Sequence, residues 1–345
     1  MNLENFANDI ANELKKEFPG ADIKVQEIPK NGEVLTGITV LAEGKSVSPT
    51  IYINDFYDDY VDGRSIEEIA ETITDIAKDS LANMPEIKLP DIMNWNEMQD
   101  QVVARIVGNE GNEQYLAGKV STKDEFLPDI SYIYGVNLDV GDNKGFIAIT
   151  NNIFDTWNID KETLHEVALE NTFDKLQPEI KSMNEIIAEM MGMDVEDMSM
   201  IPGMDENTPP MIVVSNEDRA FGAVSIFHPE VQEELADRIG GDFFILPSSV
   251  HEVIVVPADP ERIEEFKDMV YSVNQEQVAP QERLSDQVYA YDSKNQELCL
   301  AEKLSGEKKL TFSMDSLKVD LENKQKAEAG KDAPGKDHSN DHSRT

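Results

Sequence analysis

Cysteine is almost absent from this chain. Cys299 stands alone among 345 residues, so no disulfide can close within the chain and no thiolate cluster can hold a metal. Basic side chains are scarce too: 30 Lys and Arg face 69 Asp and Glu, a formal net charge of −39. Such a surface repels nucleic-acid phosphates and anionic lipid headgroups. No apolar run approaches the ~20 residues a membrane-spanning helix needs. The opening Met1–Phe6 lacks the basic and apolar regions of a secretory leader, so the expected location is the cytoplasm.

Nucleotide-binding loops are missing as well. The chain has no Gly-x-Gly-x-x-Gly and no Gly-Lys-Ser or Gly-Lys-Thr; Gly32 and Gly37 have P-loop spacing, but Ile38 occupies the lysine position. Histidine is thin: His165, His228 and His251 lie in the body, His338 and His342 near the end. His165-Glu166 and His251-Glu252 both begin like a zinc-protease helix, yet no second histidine follows at the required spacing. Asp58-Asp59-Tyr60-Val61-Asp62-Gly63 fails as a calcium loop, because Tyr60 takes the position of an oxygen ligand. Neither a metal nor a cofactor is expected.

What is present is mostly patterning. Leu3, Phe6, Ile10 and Leu14 predict a helix over 3–17. Strands follow over Asp22–Ile28, Val34–Leu41 and Val47–Ile53, with Asn31-Gly32 as the first turn. Ser65 and Glu68 form a capping box for a helix to about Leu81, which turns Ile66, Ile69, Ile73 and Ile76 inward. Met98, Val102 and Ile106 predict another helix, and Ser131–Val140 with Phe146–Thr150 a hairpin. Ile51-Tyr52-Ile53-Asn54 is echoed by Ile147-Ala148-Ile149-Thr150, and Ile66–Ala70 by Leu164–Ala168, which suggests an internal repeat.

Residues 183–211 hold eight of the fourteen methionines, a composition suited either to a core seam or to an adaptable surface. Beyond them, Met211–Ser215, Ala223–Phe227, Phe243–Leu246 and Val253–Val256 read as strands. Pro229 and Pro260 open helices, and Gln287–Asp292 with Gln296–Leu300 make a last hairpin. Residues 305–345 carry equal numbers of acidic and basic side chains, so the whole excess of −39 sits on the rest of the chain. The reading is an α+β protein of two or three related α-β-β-α units, with mostly antiparallel sheets and helices on one face. Its expected divisions are units at 1–84, 92–180 and 211–304, a Met-rich linker at 181–210, and a disordered tail at 305–345 with room for one short helix around Met314, Leu317 and Leu321.

One stretch crowds a hydroxyl, an imidazole and a carboxylate together. Between two apolar runs, Pro247-Ser248-Ser249-Val250-His251-Glu252 holds the residue types of a nucleophile, a base and an orienter. In an extended chain, however, His251 and Glu252 point to opposite faces. No Gly-x-Ser-x-Gly elbow accompanies them. The competing expectation is a turn in which Pro247 sets the bend and the serine hydroxyls satisfy backbone donors.

With Val213-Val214-Ser215-Asn216, Phe221-Gly222-Ala223, Leu35-Thr36-Gly37-Ile38 and Pro49–Ile53, the segment Phe243–Pro257 carries a resemblance. The chain resembles, over roughly residues 1–300, a bacterial family of unknown function, of the 5688 type, found in Gram-positive gut bacteria and mobile elements. That likeness implies a shared fold and a mobile-element setting, and it brings no activity and no catalytic residues. Three functions stay open. The first is a non-enzymatic acidic interaction protein, a regulator or anti-defence factor that docks on the basic surface of a protein partner. The second is a hydrolase using Ser248 or Ser249 with His251 and Glu252. The third is a binding module for a small ligand or peptide.

Overall fold

A computed structural model describes residues 1–44, 48–83, 90–140, 143–194, 210–247 and 249–304. Helix α1 (Leu3–Glu17) starts on Asn2, whose side chain accepts from the Asn5 amide. It buries Phe6, Ile10 and Leu14 on the spacing the sequence predicts. Strands β1 (Asp22–Lys30), β2 (Glu33–Leu41) and β3 (Thr50–Tyr52) form an antiparallel sheet in that order. Helices α2 (Asn54–Val61) and α3 (Ile66–Ala82) follow, the second opened by the Ser65–Glu68 capping box. Their apolar faces close a first core around Ile38, Val40, Ile53, Ile69 and Ile73. Ile76 does not join it and is 39% exposed. The inward seats behind Ile73 go to Thr74 and Ala77, because helical rotation carries position 76 off the buried stripe.

Met98, Val102 and Ile106 do not share a helix. Helix α4 (Trp95–Met98) is one turn, and Val102 already opens β4 (Val102–Gly108). Val102, Val103, Ala104, Ile106 and Val107 are all buried, so the strand is covered on both faces and shows no alternation. The four-residue spacing that imitates a helix is a coincidence of that uniform burial. After α5 (Glu113–Leu116) come β5 (Ser121–Lys123), β6 (Ile130–Val140) and β7 (Asn143–Ala148). Strand β6 pairs antiparallel with β4, β5 and β7. Helices α6 (Asn151–Trp157) and α7 (Lys161–Lys175) then repeat the order seen after β3: a short helix and a capped longer one.

A third, six-stranded sheet has the order β13-β12-β10-β11-β9-β8. It comprises β8 (Pro178–Ser182), β9 (Ile212–Asn216), β10 (Phe243–Leu246), β11 (Val253–Pro257), β12 (Tyr289–Asp292) and β13 (Glu297–Leu300). Helix α8 (Met183–Met191) follows β8, α9 (Pro229–Ile239) precedes β10, and α10 (Ile263–Glu276) follows β11. The three sheets and their helices make the chain an α+β protein, as its pattern predicts, and among the described residues every strand pairing is antiparallel. Ala223–Phe227 is not a strand but part of a 3-10 helix, Gly222–Phe227. The reason lies just before it. Phe221 sits in the left-handed region at φ 55, and a Cβ on Gly222 would stand 2.5 Å from the Asn216 amide, so the chain coils tightly against the end of β9. One core runs from Met98 through Val214 and Phe243 to Leu298 and joins the second sheet to the third. Of the Met-rich stretch, 195–209 lies outside the described residues, as does the tail at 305–345. Met190 is 82% exposed.

The β1–β2 turn does more than reverse the chain. Asn31, 8% exposed, donates through Nδ2 to the carbonyls of Gln281 (2.9 Å) and Arg283 (2.8 Å). Its Oδ1 accepts from Asn112 Nδ2 at 2.8 Å, and Asn112 Oδ1 accepts from the Gly32 amide at 2.8 Å. Gly32 lies at φ +72, and a Cβ there would sit 2.3 Å from the Pro280 carbonyl oxygen. Close approach and backbone handedness both require glycine. This asparagine pair clamps the tip of the first sheet onto the rest of the molecule, and beside it opens a polar cleft of about 220 Å³ lined by Asn109, Asp129, Arg283, Ser285 and Gln287.

Candidate functional site

Strands β10 and β11 pair from Phe243↔Pro257 to Leu246↔Ile254, so residues 247–252 form the loop between them. Ser248 lies outside the described residues. Ser249 Oγ accepts the backbone N–H of His251 at 3.0 Å, a short-range hydroxyl cap of the kind that fixes turns. The loop is tied down on three further sides. The Val250 amide donates to the Glu282 carbonyl at 2.8 Å, and the Ser285 amide to the Pro247 carbonyl at 3.2 Å. Ser215 Oγ donates to the His251 carbonyl at 2.8 Å.

The His251 ring has partners of its own. Its Nδ1 accepts the Phe221 backbone N–H at 3.1 Å, which places the proton of the neutral ring on Nε2. Nε2 lies 3.7 Å from Glu282 Oε1. Glu252 goes elsewhere: it lines a small hollow of about 170 Å³ with Lys181, Ile186, Val213 and Arg219. The elbow therefore brings Ser249 and His251 together through backbone and leaves Glu252 in a separate hollow. Glu282, at the imidazole, is absent from the sequence expectation.

Phe221 leads from the elbow to a group the sequence reading missed. Its ring lies 5.0 Å from the His251 ring, centroid to centroid. On the other side stands the Arg105 guanidinium, 3.7 Å from the Phe221 ring centre and 3.8 Å from that of Phe146. Arg105 is thus sandwiched between two aromatic faces, a cation–π arrangement. Phe146 is held against Gly135, where a Cβ would meet the ring at 2.2 Å. Burial pulls the Arg105 pKa down to about 10, so the side chain stays cationic at neutral pH. A signal for it existed. Arg105 is the one charged residue in Val102–Gly108, and a charge inside a strand buried on both faces demands a partner or a task.

Two lysines also lie over aromatic rings. Lys119 Nζ sits 3.9 Å over the Tyr115 ring and donates to the Tyr115 carbonyl. Burial, and then the charge of Lys30, lower the Lys119 pKa. Burial raises the Tyr115 phenol, while the charge of Arg105 pulls it back. Lys30, brought in by the asparagine clamp, lies 4.9 Å from the centre of the Tyr52 ring. The ion pairs found among the described residues include none of these three cations. The same residues contain no group of three or more His, Cys, Asp or Glu placed to hold a metal ion, and no helix long and apolar enough to cross a membrane.

No curated protein matches the chain, and no solved structure does. One family model does match, over residues 3–293, and its description is a family of unknown function. A match of that extent, spanning the first two sheets and all of the third but β13, makes the chain a member of the DUF5688 family.

Proposed function

We propose that this protein is a non-enzymatic binding module that takes a small ligand where its three sheets meet. The observation that carries this reading is the way polar groups are spent. Ser249 Oγ caps its own loop and His251 Nδ1 holds the Phe221 amide, whereas the contacts of the Arg105 guanidinium among the described residues are with ring faces. A hydroxyl and an imidazole occupied with backbone support a joint, and unspent cationic donors support a receptor. The carboxylates, by contrast, are spread over the outer faces of several helices, among them Glu71 and Asp75 on α3, Glu166 and Glu170 on α7, and Glu233 and Asp237 on α9. That distribution favours solubility over one acidic docking face, and so favours a ligand site over a basic protein partner.

The test pairs two probes. A fluorophosphonate, which labels activated serines, is expected to leave the protein unmodified, and binding is expected to survive Ser249→Ala. Stoichiometric labelling at Ser248 or Ser249 would instead establish the hydrolase reading. Salt-sensitive capture of one basic protein by wild type, lost when the α3, α7 and α9 carboxylates are neutralised, would establish the docking reading.

A further inference from the structure

Two glycines let segments of all three sheets converge on the cleft beside the asparagine clamp. A Cβ on Gly108, at the end of β4, would stand 2.2 Å from the Leu284 carbonyl oxygen, and one on Gly32 would stand 2.3 Å from that of Pro280. At about 220 Å³ the cleft is smaller than the roughly 300–1,000 Å³ of pockets for drug-sized ligands, so its occupant is small. Donors along its wall are engaged. Arg283 gives Nε to the Val278 carbonyl, Nη1 to Gln275 Oε1 and Nη2 to the Gln275 carbonyl. Asn112 Nδ2 serves Asn31 and the Gly108 carbonyl, and Ser285 Oγ donates to Asp129 Oδ2 at 2.6 Å. Acceptor capacity remains. Glu110, Asp129 and Asp286 line the cleft, and the ion pairs found among the described residues include none of them. Asp129 Oδ1 is buried and accepts from no donor among the described residues. The same holds for Oδ1 of Asn274, whose Nδ2 holds the Ser285 carbonyl and Asp286 Oδ1. Buried oxygens left unpaired at one place call for a donor that the chain does not supply.

We infer that this cleft binds a small aliphatic diamine in its doubly protonated form. Three carboxylates and the Arg283 guanidinium leave two negative charges on the lining, which a dication matches. Among the described residues no group of three or more His, Cys, Asp or Glu is placed to hold a metal ion. The carboxylates therefore do not converge on one point, and two charges held apart by a short chain suit them better than one compact ion. One ammonium takes Asp129, the half-buried inner carboxylate, and the other takes the exposed pair, Glu110 and Asp286. Each ammonium brings three donors and no acceptor, which is the chemistry this wall lacks. The formal charge of −39 draws such a cation toward the protein, and the cleft gives it a fixed seat. Arg105 does not line this cleft, so the site goes beyond the ligand reading of Arg105 and stands or falls apart from it.

The experiment is calorimetric titration of the full chain with diaminobutane, butylamine and magnesium chloride at matched ionic strength. Diaminobutane is expected to bind at one site, and butylamine ~10-fold or more weakly, because it lacks the second charged contact. Asp129→Asn should lose ~10-fold or more in diamine affinity, the worth of one charged hydrogen-bonded contact. Glu110→Gln, at the exposed rim, should lose several-fold and keep the wild-type melting temperature, which guards against a folding defect in the Asp129 variant. Glu71→Gln, on α3, should change nothing, which separates a seat in the cleft from attraction to the acidic surface at large. Arg105→Gln should likewise leave diamine affinity unchanged, so that failure of the Arg105 reading and failure of this one are told apart. No saturable diamine binding, or binding unchanged in both the Asp129 and Glu110 variants, overturns the inference. Displacement of the diamine by equimolar magnesium would assign the cleft to a metal ion and overturn it too.

Discussion

Replacing Asn31 with alanine removes three hydrogen bonds at one stroke. Two run from Nδ2 to the carbonyls of Gln281 and Arg283, and one comes into Oδ1 from Asn112. Asn112 keeps its bond to the Gly108 carbonyl at 2.8 Å, so the loss falls on the two carbonyls and on half of the Asn112 amide. A buried hydrogen bond is worth about 1 kcal/mol net, and a polar group left unpaired costs about 1–3 kcal/mol, so the change should destabilise by roughly 3–5 kcal/mol. At roughly 2 °C per kcal/mol for a chain of this size, the melting temperature falls by roughly 6–10 °C. The shape of the transition matters more. The first sheet has its own core, separate from the one shared by the other two, so weakening the clamp should split the calorimetric trace and let residues 1–83 unfold first. Asn31→Asp tests the donor specifically: it keeps the outline and sets a carboxylate oxygen against two carbonyls, so it should cost at least as much. A loss below about 1 kcal/mol with one unsplit transition would refute the clamp.

Other changes probe the site and its supports. Gly135→Ala forces a methyl into the Phe146 ring, 2.2 Å away at the ideal position, and should lower stability by roughly 1–3 kcal/mol as an overpacking change, read by denaturant unfolding. Ser249→Ala removes the hydroxyl that accepts the His251 amide, so denaturant unfolding should show a loss of about 1 kcal/mol, with ligand binding retained. Acidification should loosen α8. Glu185 accepts the Ser182 amide at 2.6 Å, and that bond lowers its pKa below the usual 4.5. A carboxylate depressed in the folded state adds stability above its unfolded pKa and loses it as pH falls through the folded one. Amide exchange in Met183–Met191 should therefore accelerate below about pH 4.5, and Glu185→Gln should flatten that dependence.

Much of this fold is legible because its signals are local. Ser65 and Glu68 announce α3 within four residues, Asn31-Gly32 announces the first hairpin, and Pro229 with Gly240 brackets α9. The errors arise where tertiary context erases period. Val102–Gly108 is buried on both faces and so carries neither the two-residue rhythm of a half-buried strand nor a polar stripe. Residues 223–227 look like a strand until the left-handed Phe221 and the crowded Gly222 are known to coil the chain. The elbow is conspicuous in sequence because its residue types sit side by side. The Arg105 sandwich is not, because Arg105, Phe146 and Phe221 come from distant parts of the chain and meet only in the folded molecule. Arg105 is the exception, a charge in an apolar strand that could have been flagged alone.

The edge of the Arg105 guanidinium can be watched directly. With isotope-labelled arginine, the Nε–H resonance of Arg105, assigned by its loss in Arg105→Lys, reports whether that edge gains an acceptor. Titration with phosphate, used as an oxyanion probe of the proposed ligand site, should move this resonance saturably, while those of Arg219 and Arg262, already paired with carboxylates, stay in place. An unmoved Arg105 signal at phosphate concentrations that shift the surface arginines would contradict the account.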